Sequence, residues 1–384
     1  MTAFAFTLVA LPVALAIYAY LGYPVALWIA SRIHPSETIT PRSNWPRVSV
    51  VIPAYNEEGQ IAGAIDALLA QDYPKEQLQI LILSDASTDT TDQIVRQYES
   101  RGVELLRMPQ RGGKTKAENA AISRLRGEIV VNSDSSIRLH PSAVRELVAH
   151  MADPSVGVTS GRDVSISRHN AANVTEAGYV NYEMRVRALE TATGGIIGAS
   201  GSCYAIRAEL HRIPIRDDLS RDFSAALTAR VNGFRALSVD GAICFVPRTS
   251  ALRVEYLRKV RTISRGLETL YVHRALLDPS RYGIFAWKLF SHKVCRWLLP
   301  LSLLPGMVGL VLLAPLHAWA RVSLGVAGVF ALLTVIGAVW PSERHTPRII
   351  SLTTFAVAAN LAVLEGFWRV LARHQDHIWE PTRR

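Results

Sequence analysis

The chain has 384 residues, with 42 Lys and Arg against 32 Asp and Glu, a net charge of +10, and 49% hydrophobic residues. The length allows one large or two ordinary domains. The positive balance calls for anionic partners, yet no basic segment is interleaved with aromatics as a nucleic-acid reader requires, so nucleic acid is excluded as the ligand.

Taken in chain order, Met1 to Ser31 holds no charged side chain. It exceeds the roughly 20 residues needed to cross a bilayer. It lacks the basic start of a signal peptide, and its apolar run is too long for one, so residues 1–31 read as a retained membrane anchor. Arg32 and a basic central region follow, which predicts that the anchor ends on the cytoplasmic side of the cell (inner) membrane. The linker Pro35–Pro46 leads into the central region.

Val48–Ile52 reads as a β-branched strand running into the loop Pro53–Glu58, then a helix from about Ile61 to Gln71. Gln79–Leu83 is a second strand that stops at Ser84-Asp85-Ala86-Ser87-Thr88-Asp89. Thr90–Arg101 has helical spacing through Ile94, Val95 and Tyr98, with Gly102 as its stop. Val103–Arg107 is a third strand. Arg111-Gly112-Gly113-Lys114 precedes a helix containing Asn119. The two glycines either bring backbone amides to an anion, with Lys114 adding charge, or form an ordinary tight turn. Glu128–Ser133 is another β-branched run and ends at Asp134.

This alternation, up to about Met151, predicts a parallel, doubly wound α/β half. Runs of this kind that end in small polar residues and a carboxylate place acids at the strand C-termini, where the ligand crevice of an open α/β sheet lies. Asp85 and Asp134 so placed suit a polyanionic ligand held through a divalent cation; the alternative is that they cap the helices that follow. Beyond Met151 the chain is more irregular. It contains Gly194-Gly195 and Gly198-Ala199-Ser200-Gly201-Ser202, then a helix with Asp222, Phe223, Ala226 and Leu227 that ends near Gly233.

Three further uncharged stretches follow: Trp297–Leu316, Val322–Trp340 and Ile349–Leu364, the last completed by Gly366-Phe367-Trp368 at the cost of including Glu365. The predicted organisation is an anchor (1–31), a cytoplasmic domain (45–275), an interfacial segment (276–296), about three transmembrane helices (297–372) and a basic tail (373–384). Cys203, Cys244 and Cys295 are far apart and lack metal-ligand spacing, so they read as small buried residues.

Over roughly Val48 to Pro300 the motifs, in order, resemble the membrane-bound family 2 glycosyltransferases, whose fold is the nucleotide-sugar-binding GT-A fold. The resemblance implies that Pro53, Ala54, Tyr55, Glu57 and Asp85 contact the nucleotide and that Lys114 is the basic residue beside it. Asp134-Ser135-Ser136 stands where the family has Asp-x-Asp, which makes Asp134 the implied ligand of Mg2+ or Mn2+. Ser136 replaces the second acid, and a hydroxyl is a poorer ligand for a hard cation. Gly201 and Ser202 fall in the acceptor-side loop. Ser220-Arg221-Asp222-Phe223 matches a segment in which Asp222 is the catalytic base, with Arg221 in place of an acidic neighbour. Arg258-Lys259-Val260-Arg261-Thr262 stands where processive synthases have Gln-x-x-Arg-Trp. There Arg258 and Arg261 would neutralise the leaving diphosphate, and Thr262 replaces the tryptophan.

The implied activity is inverting transfer of a sugar from a nucleotide sugar, expected to be UDP-linked, to a lipid-linked or growing glycan acceptor at the bilayer. A polyprenyl-phosphate sugar synthase, a processive β-glycan synthase and a catalytically silent nucleotide-binding subunit are the alternatives.

Overall fold

β1 (Val48–Ala54) is buried along its whole length, and β2 (Leu78–Ser84) along all but its first residue. Val, Ile and Leu on both faces suit a parallel strand covered on both sides. The computed structural model describes residues 1–33, 45–166, 171–247, 252–341 and 346–373. The predicted linker up to residue 44 and the tail after Arg373 lie outside them.

Six more strands are described: β3 (Val103–Arg107), β4 (Ile129–Ser133), β5 (Arg138–Leu139), β6 (Val156–Ile166), β7 (Cys203–Arg207) and β8 (Arg235–Pro247). They form one eight-stranded sheet in the order β3-β2-β1-β4-β7-β6-β8-β5. The β3-β2-β1-β4 half is parallel, as the sequence predicts. The other half is mixed: β4 pairs antiparallel with β7, β7 antiparallel with β6, and β6 parallel with β8. The region that reads as irregular in the sequence thus supplies three strands, two of them (β6 and β8) the longest in the sheet. Interior glycines and charges, such as Gly161-Arg162-Asp163 in β6 and Asp240-Gly241 in β8, break their apolar patterns.

The chain leaves β1 for β2 and β3 on one side and returns to β4 on the other. That makes the β1–β4 boundary the switch point at which a crevice opens outside the strand ends. Val48, Val50 and Ile52 pack on one face with the helices Ile61–Leu69 and Ala143–Ala149. Val51 and Val130 pack on the other with Lys114–Ala121 and Arg221–Val231.

Among the described residues four helices are long and apolar enough to cross a membrane: Thr2–Ile33, Ile284–Leu313, Ala318–Ala338 and Arg348–Leu371. The second starts well before the uncharged stretch at Trp297, because Lys288, His292 and Arg296 are buried against protein. In the fourth, Glu365 accepts hydrogen bonds from Tyr256 Oη (2.6 Å) and Arg369 Nε (2.9 Å), so its charge is not left bare among apolar groups. Tyr256 belongs to the helix Leu252–Val272, which packs along the fourth span where Gly366 admits Ile263.

The first and second spans meet just as closely. A Cβ on Gly309 would lie 2.7 Å from Ala5 O and 2.9 Å from Leu8 Cβ, whereas one on Gly325 of the third span would meet nothing within 4 Å. Gly309→Leu should therefore lower the thermal midpoint of the detergent-solubilised protein by several degrees, since overpacking costs about 1–3 kcal/mol. Gly325→Leu should leave it unchanged. Paired melting curves check this.

Candidate active site

The crevice at the ends of β1, β2 and β4 is assembled by side chains that bind one another's loops. Asp85 follows β2 and its amide donates to Ala54 O (2.8 Å), which aligns the two strand ends. Its carboxylate accepts from Gly112 N and Gly113 N, both at 2.7 Å. The anion that the two glycine amides hold is therefore Asp85 itself. Gly113 has φ +87°, a backbone conformation that favours glycine. Asn56 (φ 53°) and Ala86 (φ 57°) are non-glycine residues in the same left-handed region, one after each strand. Such strain persists only where neighbours fix it: Asn56 Oδ1 accepts from Thr88 N (2.8 Å), and Asn56 N donates to Ser87 Oγ (3.2 Å). The Arg111 guanidinium lies 3.8 Å from the Tyr55 ring centroid. Buried Glu57 donates its amide to Thr91 Oγ1.

The loop so fixed delivers Lys114, whose Nζ is 2.5 Å from Asp134 Oδ1. Burial opposes the charge on Lys114, but the Asp134 and Glu118 carboxylates outweigh it and hold the ammonium above its usual range. Pro53, Ala54, Tyr55, Glu57, Asp85, Lys114 and Asp134 thus meet at one edge. Ser136 lies in the turn after Asp134 and is buried.

The Gly198–Ser202 loop connects this edge to Asp222. Ser202 O accepts from Ser133 Oγ (3.2 Å) and Asp134 N (3.3 Å). Gly201 lies against Asp222, where a Cβ would come 3.1 Å from Oδ2. Asp222 stands in the first turn of Arg221–Val231 and accepts from Ser220 Oγ (2.5 Å) through Oδ1. Asp163 of β6, which sequence reasoning missed, accepts from Ser200 Oγ (2.9 Å) and Ser202 Oγ (3.1 Å). No motif marks it, because it comes from a strand whose pattern is itself obscured.

Asp222 and Arg258 line a cavity of about 450 Å³ that extends between the spans, with Glu183, Lys293, Trp297 and Asn360 on its walls. Arg258 is paired bidentately with Glu255 (2.7 and 2.9 Å). Arg261 is not among the residues lining the cavity, so the structure brings only one of the two arginines to it. On the same wall, His292 places its two ring nitrogens 2.6 Å from Glu183 and 2.6 Å from Glu190, and Arg296 lies 2.8 Å from Glu183. This cluster ties the helix Ala171–Ala192 to the second span. The i, i+7 carboxylates and i, i+4 cations were its signal in the sequence.

Three comparisons bear on this arrangement. Residues 49–212 match the family model described as Glycosyl transferase family 2. The region 49–212 is a family 2 glycosyltransferase domain. The enzyme is 26% identical over 352 residues to an N-acetylglucosaminyltransferase of Rhizobium sp. (strain N33), covering 84% of this chain and 75% of that one. It is 26% identical over 312 residues to an N-acetylglucosaminyltransferase of Rhizobium meliloti (strain 1021), covering 76% and 70%. Among solved structures it resembles the mannosyltransferase PcManGT from Pyrobaculum calidifontis, in complex with GDP-Man and Mn2+, at a TM-score of 0.74 and 22% identity. That match covers 96% of this chain and 100% of that one, and it establishes the GT-A fold from sheet through spans. The glycosyltransferase acts on a nucleotide sugar.

One buried ion pair joins donor edge to candidate base in this glycosyltransferase. Arg221 Nε is 3.0 Å from Glu118 Oε2, with both side chains almost fully buried. Arg221 also donates to Asn119 Oδ1 (2.7 Å) and lies 3.2 Å from His211 Nε2. Burial, then the Arg221 charge, lowers His211 from 6.5 to about 3, so the folded protein keeps it neutral. The unfolded chain takes up a proton below pH 6.5 that the folded one refuses. Stability from this group is therefore full above pH 6.5 and falls as pH drops toward 3, by up to about 1.4 kcal/mol per pH unit. The thermal midpoint should drop between pH 7 and pH 5 by more in the wild type than in His211→Gln, as melting curves at both pH values would read.

Proposed function

We propose that the protein is an inverting N-acetylglucosaminyltransferase that uses UDP-GlcNAc and glycosylates an acceptor presented from the membrane, with its catalytic domain on the cytoplasmic side. The observation that carries the reading is the position of Asp222. It sits on the wall of a cavity lined in part by the long apolar helices, while the Gly201–Ser202 loop links it to the strand end bearing Asp134. The two relatives named above, both N-acetylglucosaminyltransferases and aligned over most of their length, support the choice of sugar.

The chemistry follows from the groups in place. Asp222 keeps Oδ1 on Ser220 and turns Oδ2 toward Gly201, where the absence of a side chain leaves room for an acceptor hydroxyl. As that hydroxyl attacks the anomeric carbon, Asp222 accepts its proton. The bond to the nucleotide breaks on the opposite face, and the configuration inverts. Lys114, held ionised by Asp134, lies at the donor edge and stabilises the charge developing on the diphosphate. Arg258, oriented by Glu255, faces the same cavity as Asp222.

The donor set at Asp134 suits a divalent cation shared with substrate phosphates and water, as Mg2+ is commonly held, and not an all-protein cage. Among the described residues no three His, Cys, Asp or Glu side chains cluster to hold a metal. Asp134, with Oδ1 on Lys114, has a second oxygen to offer. Such an ion, when bound, supplies further neutralisation of the leaving diphosphate.

A processive machine is disfavoured at Thr262. Its hydroxyl turns back to Arg258 O (2.9 Å), and it presents no aromatic face to a sugar in the cavity it lines.

Asp222→Asn should bind UDP as the wild type does, by calorimetry, and lose at least a hundredfold in turnover, since an amide cannot take the proton. Asp134→Ala should weaken UDP binding in Mn2+ and remove the difference between Mn2+ and chelator. Retention of most transfer by the first variant, or of the metal effect by the second, would reassign those roles.

Product length is a separate test. With UDP-GlcNAc in excess, radiolabelled product sized by gel filtration should be short, and a chase with unlabelled donor should not extend it to high polymer.

A further inference from the structure

Asp163 has no part in the chemistry set out above, yet it lines the same cavity as Asp222. Its placement requires an irregular strand, because in a regular one residues three apart point to opposite faces. β6 shifts register against β8 between Ser160 and Arg162, at Gly161, where a Cβ would come 2.5 Å from Cys244 Sγ. Across that shift Ser160 and Asp163 both reach Ser200. Ser160 Oγ accepts from Ser200 N (2.8 Å), and the Asp163 carboxylate accepts from Ser200 Oγ (3.0 Å at Oδ1, 2.9 Å at Oδ2). Re-aiming a side chain beside a site is a recurrent use of such departures from regular pairing. Asp163 Oδ2 also accepts from Ser202 Oγ (3.1 Å), so one oxygen takes the hydroxyls on both sides of Gly201. Gly201 stands between these two anchored neighbours, and a Cβ on it would lie 3.1 Å from Asp222 Oδ2. Its position therefore sets the width of the space beside that oxygen.

We infer that Asp163 is a positioning residue for the transfer: through Ser200 and Ser202 it holds Gly201 at the distance from Asp222 that lets an acceptor hydroxyl reach the base. This rests on the proposed role of Asp222 and goes further by assigning the residue that keeps its open side clear. No bond forms or breaks at Asp163, and it takes no proton. The geometry uses its oxygen and not its charge. Both serine hydroxyls converge on Oδ2, and a single amide oxygen also has two lone pairs with which to accept them. Asn at this position can therefore hold the loop, whereas Asn in place of a general base cannot take a proton.

The test compares Asp163→Asn, Asp163→Ala and Asp222→Asn, each expressed in the native cells in place of the wild-type chain. Isolated membranes give the rate of label transfer from UDP-GlcNAc to the acceptor they contain. The purified proteins give UDP affinity and hydrogen exchange in peptides covering Gly198–Ser202. Asp163→Ala should lower kcat by about thirtyfold or more, since a misplacement of about 1 Å costs up to about a hundredfold. Its KM for UDP-GlcNAc and its UDP affinity should stay within about twofold of wild type, while exchange in the loop speeds up. Asp163→Asn should keep kcat within about fivefold and keep the loop protected. The double variant Ser200→Ala/Ser202→Ala should lose about as much as Asp163→Ala, and adding Asp163→Ala to it should cost little more, because the three side chains act as one unit.

Asp163→Asn as inactive as Asp222→Asn would overturn the inference and make the Asp163 charge part of the chemistry. Full turnover in Asp163→Ala, or unchanged exchange in its loop, would overturn it too. Loss of UDP affinity in step with turnover would make Asp163 a support of the whole fold and sink the positioning role. The reading of Asp222 as base fails separately, on retention of transfer by Asp222→Asn alone. Exchange and UDP affinity need no sugar transfer, so they decide the matter even where the donor is a different UDP-sugar.

Discussion

The carboxylate of Asp85 is the fixed point of the site. Two short hydrogen bonds hold Gly112 and Gly113 against the end of β2, and this places Lys114 on Asp134 at the end of β4. Strands β1, β2 and β4 are set side by side by their ladders, but ladders position only backbone. The Asp85 contact converts that alignment into a placement of charge. With Asp134 held, its amide and Ser133 fix the carbonyl of Ser202, and through that loop Gly201 meets Asp222. The strand-end residues and Asp222, the proposed base, thus belong to one continuous set of contacts, which favours a fixed geometry over one assembled at each turnover.

A second connection runs through the core. Glu118 lies one helical turn after Lys114, and Arg221 immediately precedes Asp222, so their ion pair couples the two functional helices directly. Burial raises the pKa of the Glu118 carboxyl, while the Arg221 and Lys114 charges oppose that. Neither Glu118 oxygen has an aligned hydrogen-bond donor among the described residues. The contact is therefore one of charge against charge at close range. Pairs of this kind add little net stability, but removing one partner costs about 3–5 kcal/mol. Arg221, where the resemblance leads one to expect an acid, meets an acid supplied by the neighbouring helix.

How much of this was legible follows from period and charge. The β1, β2 and β4 strands announced themselves because both faces are apolar, and the abrupt switch to Asp85 and Asp134 marked the strand ends. The order of motifs carried the family, and the uncharged runs gave the spans. What stayed hidden shares one cause. Glu118, fully buried, and Asp163 and Lys293, partly buried, are charged residues whose contacts come from segments far away in sequence, and a local window reads them as surface. The second span's early start was obscured in the same way. Lys288, which donates to the carbonyls of Glu190, Thr193 and Gly195, looks in sequence like a residue that must lie outside the membrane.

These buried charges also bear on how the domain sits on its membrane helices. Lys288 holds the last carbonyls of Ala171–Ala192 and the glycine turn after it, and His292 and Arg296 grip that helix along its length through Glu190 and Glu183. The same helix leads directly into the Gly198–Ser202 loop that touches Asp222. A flexible tether would let the acceptor loop move relative to the spans that bound the cavity. A charge-locked one fixes both to the same frame, because such pairs break only at a cost of several kcal/mol when water cannot take over their partners. The cavity walls from the apolar helices and Asp222 at the start of Arg221–Val231 are thereby held in one frame.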